Sequence, residues 1–139
     1  KIGYVPQNIY LLDESILKNI LFGNEVTDQN KLKKIIKICE LEKFIDSLPD
    51  GLDTVIGEKS SKISGGQTQR IGIARALYKD PLILIMDEAT NALDLKTSEK
   101  IMYKLKELNK FLTTIVITHD QNILNLCDER IDLNLLQNK

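Results

Sequence analysis

Leu82-Ile83-Leu84-Ile85-Met86 is the longest uninterrupted apolar run in the chain, and Asp87-Glu88 end it abruptly. The run is far too short to cross a membrane and suits one buried strand. With no polar residue along it, it is expected in a parallel sheet covered on both faces. The neighbouring segments alternate to match. Gln67 to Tyr78 is helical, with Ile71, Ala74 and Leu77 along one side and a break at Asp80-Pro81. Thr97 to Asn109 is amphipathic through Ile101, Met102, Leu105 and Leu108. Thr113 to Thr118 is a second β-rich run, Gln121 to Leu126 a short helix, and an edge strand is expected near Ile131 to Leu133. Helix, strand, helix, strand, helix predicts an α/β fold with a parallel sheet flanked by helices.

The first half differs. Lys1 to Val5 reads as a strand ended by Pro6, but Leu11 to Ser61 is mostly helix and loop and has the character of an inserted subdomain. Ser15 to Leu21 has helical spacing and closes on Phe22-Gly23. Asp28 can cap a helix whose apolar stripe is Leu32, Ile35, Ile36 and Cys39. A shorter helical turn with Leu41, Phe44, Ile45 and Leu48 stops at Pro49-Asp50-Gly51, and Thr54 to Ser61 is loop-like.

In open parallel sheets ligands sit beyond the carboxyl ends of the strands, and Asp87, Glu88 and His119 all fall there. Two carboxylates ending a buried strand are costly unless they are neutralised or solvated. A magnesium ion held through Asp87 would do so, leaving Glu88 to polarise an attacking water; alternatively Asp87 caps the next helix. His119, the only histidine, is either structural or a hydrogen-bond donor to a terminal phosphate. Gln7 occupies a comparable strand-end position and could touch the metal or the water. Ser64-Gly65-Gly66-Gln67 stand directly before a helix. Glycines at that end let the backbone approach something closely, and the free N–H groups favour an anion. The alternative is a flexible loop capped by Ser64.

With 42% hydrophobic and 28% charged residues among 139, a packed core is expected. The net charge of −1 gives no reason to expect nucleic acid as a partner. Lys31, Lys33, Lys34 and Lys37 alternate with apolar positions at helical spacing and form a solvated outer face. Cys39 and Cys127 show no ligand spacing and fit reduced packing thiols of a cytoplasmic protein.

Taken together, these segments resemble the nucleotide-binding domain of an ATP-binding-cassette (ABC) transporter. "YVPQ" resembles the Q-loop, with Gln7 as its glutamine. "ISGGQTQR" resembles the signature motif, with Ile63 where leucine is commoner. "LILIMDE" resembles the Walker B strand, "NALD" the D-loop with Asn91 in place of serine and Asp94 as its aspartate, and "VITHD" the switch loop with His119. Five such motifs in order are far more specific than any one alone. "LPDGLDTVIGEKSSKISGGQ" resembles the exporter type, with Thr54, Gly57 and Glu58 in a loop that in the family lies near the membrane domains, and Ser60 where glycine is common. "NIYLLDESILKNILFG" is exporter-like too.

The resemblance implies a P-loop NTPase-like sheet with an inserted α-helical subdomain over about 11–75, and a catalytic core from 1–10 and 76–139. It implies ATP and Mg2+ as ligands. Asp87 would hold the metal, with Gln7 beside it, and Glu88 would be the catalytic base. His119 and Gln7 would sense the terminal phosphate. Ser64, Gly65, Gly66, Gln67 and Asp94 would meet the ATP held by a second cassette in a head-to-tail dimer. Transmembrane domains fused upstream would complete an exporter of lipid, glycolipid, peptide or drug on the cytoplasmic face of the membrane. No G-x-x-x-x-G-K-[ST] phosphate loop occurs in the sequence, so the chain is expected to begin within a longer protein and to bind MgATP poorly alone. The rival readings are a soluble ABC ATPase of DNA repair or translation, or a truncated non-catalytic fragment. Gln7 and Ser64 are too close in sequence to enclose the long coiled coil of chromosome-type members.

Overall fold

A computed structural model describes residues 1–24, 27–57, 63–108 and 110–133. Strand β4 (Ile83–Asp87) lies at the centre of a three-stranded parallel sheet, between β1 (Ile2–Val5) and β5 (Thr113–Ile117). The register sets Tyr4 opposite Ile85, and Ile85 opposite Ile115. Because side chains alternate along a strand, Val5, Leu84 and Met86 share one face and are wholly buried. On the other face Ile2, Tyr4, Ile115 and Ile117 are 47–65% exposed, while Ile83 and Ile85 are half-buried. The expectation of two covered faces is therefore corrected. Among the described residues one face is buried under helices, and on the other β4 is sheltered mainly by the side chains of its two neighbouring strands.

Helix α4 (Gly65–Tyr78) ties that covered face to the helical half. Its C-terminal part lies so close to β1 that a Cβ on Gly3 would stand 3.3 Å from the Ala76 carbonyl oxygen. Its flank packs on α1 (Ile16–Leu21) and α2 (Gln29–Ile38), burying Ile71, Ile73 and Ala74 completely. Buried Asn19 of α1 and Arg75 of α4 fasten the segment after β1. Asn19 accepts from the Leu12 amide at 2.9 Å and donates to the Leu12, Glu14 and Ser15 carbonyls. Arg75 donates to the Asn19 side-chain and main-chain oxygens and to the Tyr10 carbonyl, each at 2.9 Å. Burial lowers the pKa of Arg75, and these three acceptors replace the water it gives up.

Polar caps fix where the helices start. Ser15 caps α1, Asp28 caps α2, Ser64 caps α4, and Asp94 caps α5 (Leu95–Lys106). Both α4 and α5 consequently begin two residues before their apolar periodicity does. Thr54 to Ser61 is not all loop. Val55–Ile56 (β3) pairs antiparallel with Glu14–Ser15 (β2) and buries Ile56, a two-residue bridge with no sequence periodicity. Glu58 and Ser60 lie outside the described residues. After α6 (Gln121–Leu124), Leu126 and Cys127 still pack against the core, the chain runs exposed from Asp128, and Ile131 to Leu133 form no strand.

One polar clasp joins the helical half to α5. Glu40, just past α2, adopts a left-handed backbone at φ 54°. Its carbonyl accepts from Arg70 of α4, and its carboxylate receives Lys104 and, at 3.5 Å, Lys100 of α5. Lys104 also donates to the Lys37 carbonyl at 2.6 Å. The Lys104 hydrogen bond, together with the charges of both lysines, holds the Glu40 carboxyl below its usual range against an opposing effect of burial. A depressed folded-state pKa stabilises the fold fully above the unfolded value, about 4.3, and that stabilisation is lost as pH falls through the folded value. Glu40→Gln is expected to destabilise by about 1–2 kcal/mol at neutral pH. In urea melts the gap to the parent should close as the solution is acidified below the carboxylate range. A gap that did not change with pH would show that charge is not what the clasp contributes.

Candidate functional site

The tips of the three strands carry one polar cluster. Glu88 leaves β4 with a left-handed backbone at φ 48°, a strained conformation for a residue with a side chain. Its amide donates to the Ile117 carbonyl at the end of β5 (2.9 Å), and the Asn91 amide closes a turn onto its own carbonyl (3.1 Å). That backbone aims the carboxylate along the sheet edge. Oε2 accepts from Gln7 Nε2 at 2.6 Å and from Asn91 Nδ2 at 3.0 Å, while Oε1 lies 2.5 Å from His119 Nε2. The Glu88 side chain is largely covered, whereas that of His119 is 86% exposed. A core role for His119 is excluded on that exposure.

Asp87 stands beside this cluster, with its Oδ2 accepting from the Tyr4 hydroxyl at 2.9 Å. The hydrogen bond to Asp87, followed by desolvation and the carboxylate's charge, raises the pKa of the Tyr4 phenol. Asp87 does not cap a helix: a turn follows it, and Asp94 caps α5 instead. Of the residues that the sequence singles out, Gln7, Glu88 and His119 come into contact, and Asp87 stands beside them, bonded to Tyr4. Sequence reasoning missed the contact from Tyr4, and it read Asn91 only as a substitution in a motif. The pairing of β1 with β4 sets Tyr4 within reach of Asp87, and no residue pattern in the sequence fixes that register.

A second, separate feature surrounds the start of α4. Ser64 Oγ accepts from the Gln67 amide (3.2 Å), and Gln67 Oε1 accepts from the Ser64 amide (2.8 Å), forming a reciprocal cap. Ser64, Gly65 and Gly66 line a cleft of about 410 Å³ together with Arg70, Asp94 and Thr97. None of Gln7, Asp87, Glu88 and His119 lines it. Asp94 accepts from the Thr97 amide (3.0 Å) and hydroxyl (2.7 Å), and these bonds hold its carboxyl below the ordinary range.

The two glycines serve different purposes. A Cβ on Gly66 would sit 2.9 Å from the Ala92 carbonyl oxygen, inside contact distance, so the turn from Glu88 to Asp94 requires glycine there. Gly65 meets only the Ala92 methyl, at 3.4 Å. The close approach expected of this pair is thus made in part by the chain itself, and Gln69 reinforces it by accepting from the Ala92 amide at 3.0 Å.

The donor set bears on which metal could be held. Among the described residues no group of three or more His, Cys, Asp or Glu is arranged to hold an ion. Calcium, which takes six to eight oxygens, is poorly served by such a site. Magnesium is commonly held through one or two carboxylates, with water and substrate phosphates filling the remaining positions. Asp87 fits that use, since Tyr4 occupies only part of its acceptor capacity.

Comparison with known proteins gives a consistent result. The family model described as "ABC transporter" matches residues 1–91. The chain is 44% identical over 128 residues to ABC transporter B family member 6 of Dictyostelium discoideum, covering 92% of this chain and 19% of that protein. It is also 44% identical over 118 residues to a protein of Rickettsia typhi named "Putative export ATP-binding/permease protein", covering 85% of this chain and 20% of that protein. The chain thus spans about a fifth of the length of these curated relatives. Among solved structures, a bacterial Atm1-family ABC exporter with ATP bound superposes with a TM-score of 0.82 at 37% identity, covering 88% of this chain and 22% of that one.

The unequal glycines generate a test. Gly66→Ala must displace either the start of α4 or the backbone at Ala92, and is expected to cost about 1–3 kcal/mol. Gly65→Ala, which meets ordinary contact, is expected to stay within about 0.5 kcal/mol of the parent. Thermal unfolding of both variants measures the difference. Equal losses would remove the packing role assigned to Gly66.

Proposed function

The chain belongs to the ABC transporter family, and from that membership we propose that it forms part of an ATP-hydrolysing cassette that drives export across a membrane. The observation that carries the reading is the Glu88 carboxylate gathering Gln7, Asn91 and His119 at the carboxyl ends of a parallel sheet, with Asp87 alongside. A carboxylate offers about four lone-pair sites, and three partners use three of them. One acceptor position remains for a water.

In the proposed reaction, water attacks the γ-phosphorus in line. Its oxygen forms the new P–O bond, the bond to the β–γ bridging oxygen breaks, and ADP and phosphate leave. Glu88 orients the water and accepts its proton. Gln7 and Asn91 fix the Glu88 rotamer, and His119, which meets Glu88 from the end of β5, would also donate to a terminal phosphate oxygen. Bound magnesium would supply charge neutralisation for the triphosphate, and Asp87 is the residue that would hold it.

The sequence contains no phosphate loop, so on this reading the cradle for the β- and γ-phosphates comes from elsewhere in the full protein. The start of α4 would act on a different nucleotide. Ser64 and Gly65, in a cleft apart from Glu88, suit the γ-phosphate of ATP held by a second cassette, and ATP would then bind more tightly in the paired state than in the open one. The loop containing Thr54 and Gly57, within the helical subdomain of about 11–75, would lie near the membrane domains, with 1–10 and 76–139 forming the catalytic core. No described helix is long and apolar enough to cross a membrane. The membrane spans of such an exporter would therefore belong to other segments, with the cassette at the cytoplasmic face. The export name carried by the Rickettsia relative favours this over a soluble ATPase of repair or translation.

In the complete protein, Glu88→Gln is expected to lower ATP turnover by about 10²-fold or more and to accumulate an ATP-bound dimer. Phosphate release and size-exclusion chromatography with ATP measure the two effects. Near-parental turnover would take the base role away from Glu88.

A further inference from the structure

We propose that Tyr4 is a positioning residue for the metal carboxylate: its hydroxyl clamps one oxygen of Asp87 and so presents the other to the magnesium ion. This rests on the assignment of Asp87 made above.

The geometry comes from the strand register. Tyr4 pairs with Ile85, and strand alternation sends Tyr4, Ile85 and Asp87 to the same side of the sheet. A tyrosine ring is long enough to cover the two-residue step from Ile85 to the strand tip, and its hydroxyl reaches Asp87 Oδ2 at 2.9 Å. Tyr4 gives the only hydrogen bond to the Asp87 side chain among the described residues. Core packing does not account for this side chain. Tyr4 is 54% exposed, whereas the buried face of β1 is carried by Val5. A phenylalanine would retain the ring and lose only the donor.

The chemical consequence follows from how a carboxylate binds a small hard cation. Magnesium demands near-octahedral ligand directions, so the orientation of the carboxylate plane affects affinity. A donor on Oδ2 restricts rotation about the terminal torsion, which is otherwise soft. It also engages one oxygen and leaves Oδ1 with its full acceptor capacity. Hydrogen-bonding partners of this kind behind a metal ligand typically change affinity by about 10- to 100-fold.

The test uses the complete protein and Mn2+, an EPR-visible substitute for Mg2+. Mn2+ is titrated into ATP-loaded protein, and ATP affinity is measured separately in EDTA. Tyr4→Phe and Tyr4→Leu are both expected to weaken Mn2+ binding by about 10-fold, with ATP affinity in EDTA unchanged. Equal shifts in the two variants identify the hydroxyl, rather than the ring, as the active group. Asp87→Asn serves as the reference and is expected to weaken Mn2+ binding further. If Asp87→Asn weakens Mn2+ binding while both Tyr4 variants match the parent, the positioning role is overturned and the Asp87 assignment stands. If Asp87→Asn also matches the parent, the Asp87 assignment itself fails and takes the proposal with it. A shift for Tyr4→Leu alone would mark a packing role and overturn the proposal.

Discussion

One carboxylate holds the functional edge of this sheet together. Parallel strands give no side-chain continuity at their ends, because each continues into an independent loop. Here the Glu88 carboxylate draws in Gln7 from beyond β1 and His119 from beyond β5, while its amide bonds the last carbonyl of β5. The left-handed backbone at Glu88 is the cost of that convergence, since an extended residue would continue β4 instead of turning its amide to Ile117. Charge explains why the arrangement is confined to the edge. A carboxylate this well covered needs several donors, and a cluster of donors can assemble where the sheet stops and the loops begin.

A second constraint works through α4. Its N-terminal turn touches the Ala92 backbone, its middle packs on α1 and α2, and its last turn reaches β1. Gly66, Gly72 and Gly3 are points where this helix or its neighbour takes no Cβ without movement, a Cβ on Gly72 meeting the Ile9 side chain. The Glu88–Asp94 turn therefore runs between two fixed ends, with Glu88 tied to β5 and Asp94 capping α5, and its centre is pressed on α4.

Legibility from sequence divided along physical lines. The order of strands and helices in the second half was readable because apolar periodicity reports burial directly, and Leu82 to Met86 marked the central strand. The position of the strand-end cluster was readable for the same reason: carboxylates and a histidine just after β runs fall at the sheet edge. Helix starts were misjudged by two residues at Gly65 and Leu95, since caps are polar and carry no periodicity. The β2–β3 bridge was invisible because two residues make no pattern. The strand expected near Ile131 to Leu133 failed for the opposite reason: three mixed residues imitate a pattern, and among the described residues no strand pairs with them. Covering of both sheet faces could not be read at all, because an apolar run states what tolerates burial and not what supplies it.

The separation of the two polar features carries the functional argument furthest. Ser64 accepts from the Gln67 amide and donates to nothing among the described residues, while Gly65 leaves its backbone open toward a cleft. Glu88, by contrast, is nearly saturated by its own chain. The cleft at Ser64 has none of Gln7, Asp87, Glu88 and His119 in its lining. Under the proposed function, a ligand meeting Glu88 would be met by other donors on its far side, and a ligand meeting Ser64 would be held by a second cassette. Under the reading proposed here, each chain contributes two unlike halves of different sites. Such halves can all be satisfied together only when a second cassette supplies the complement, and this makes nucleotide affinity and association of the two cassettes a single equilibrium.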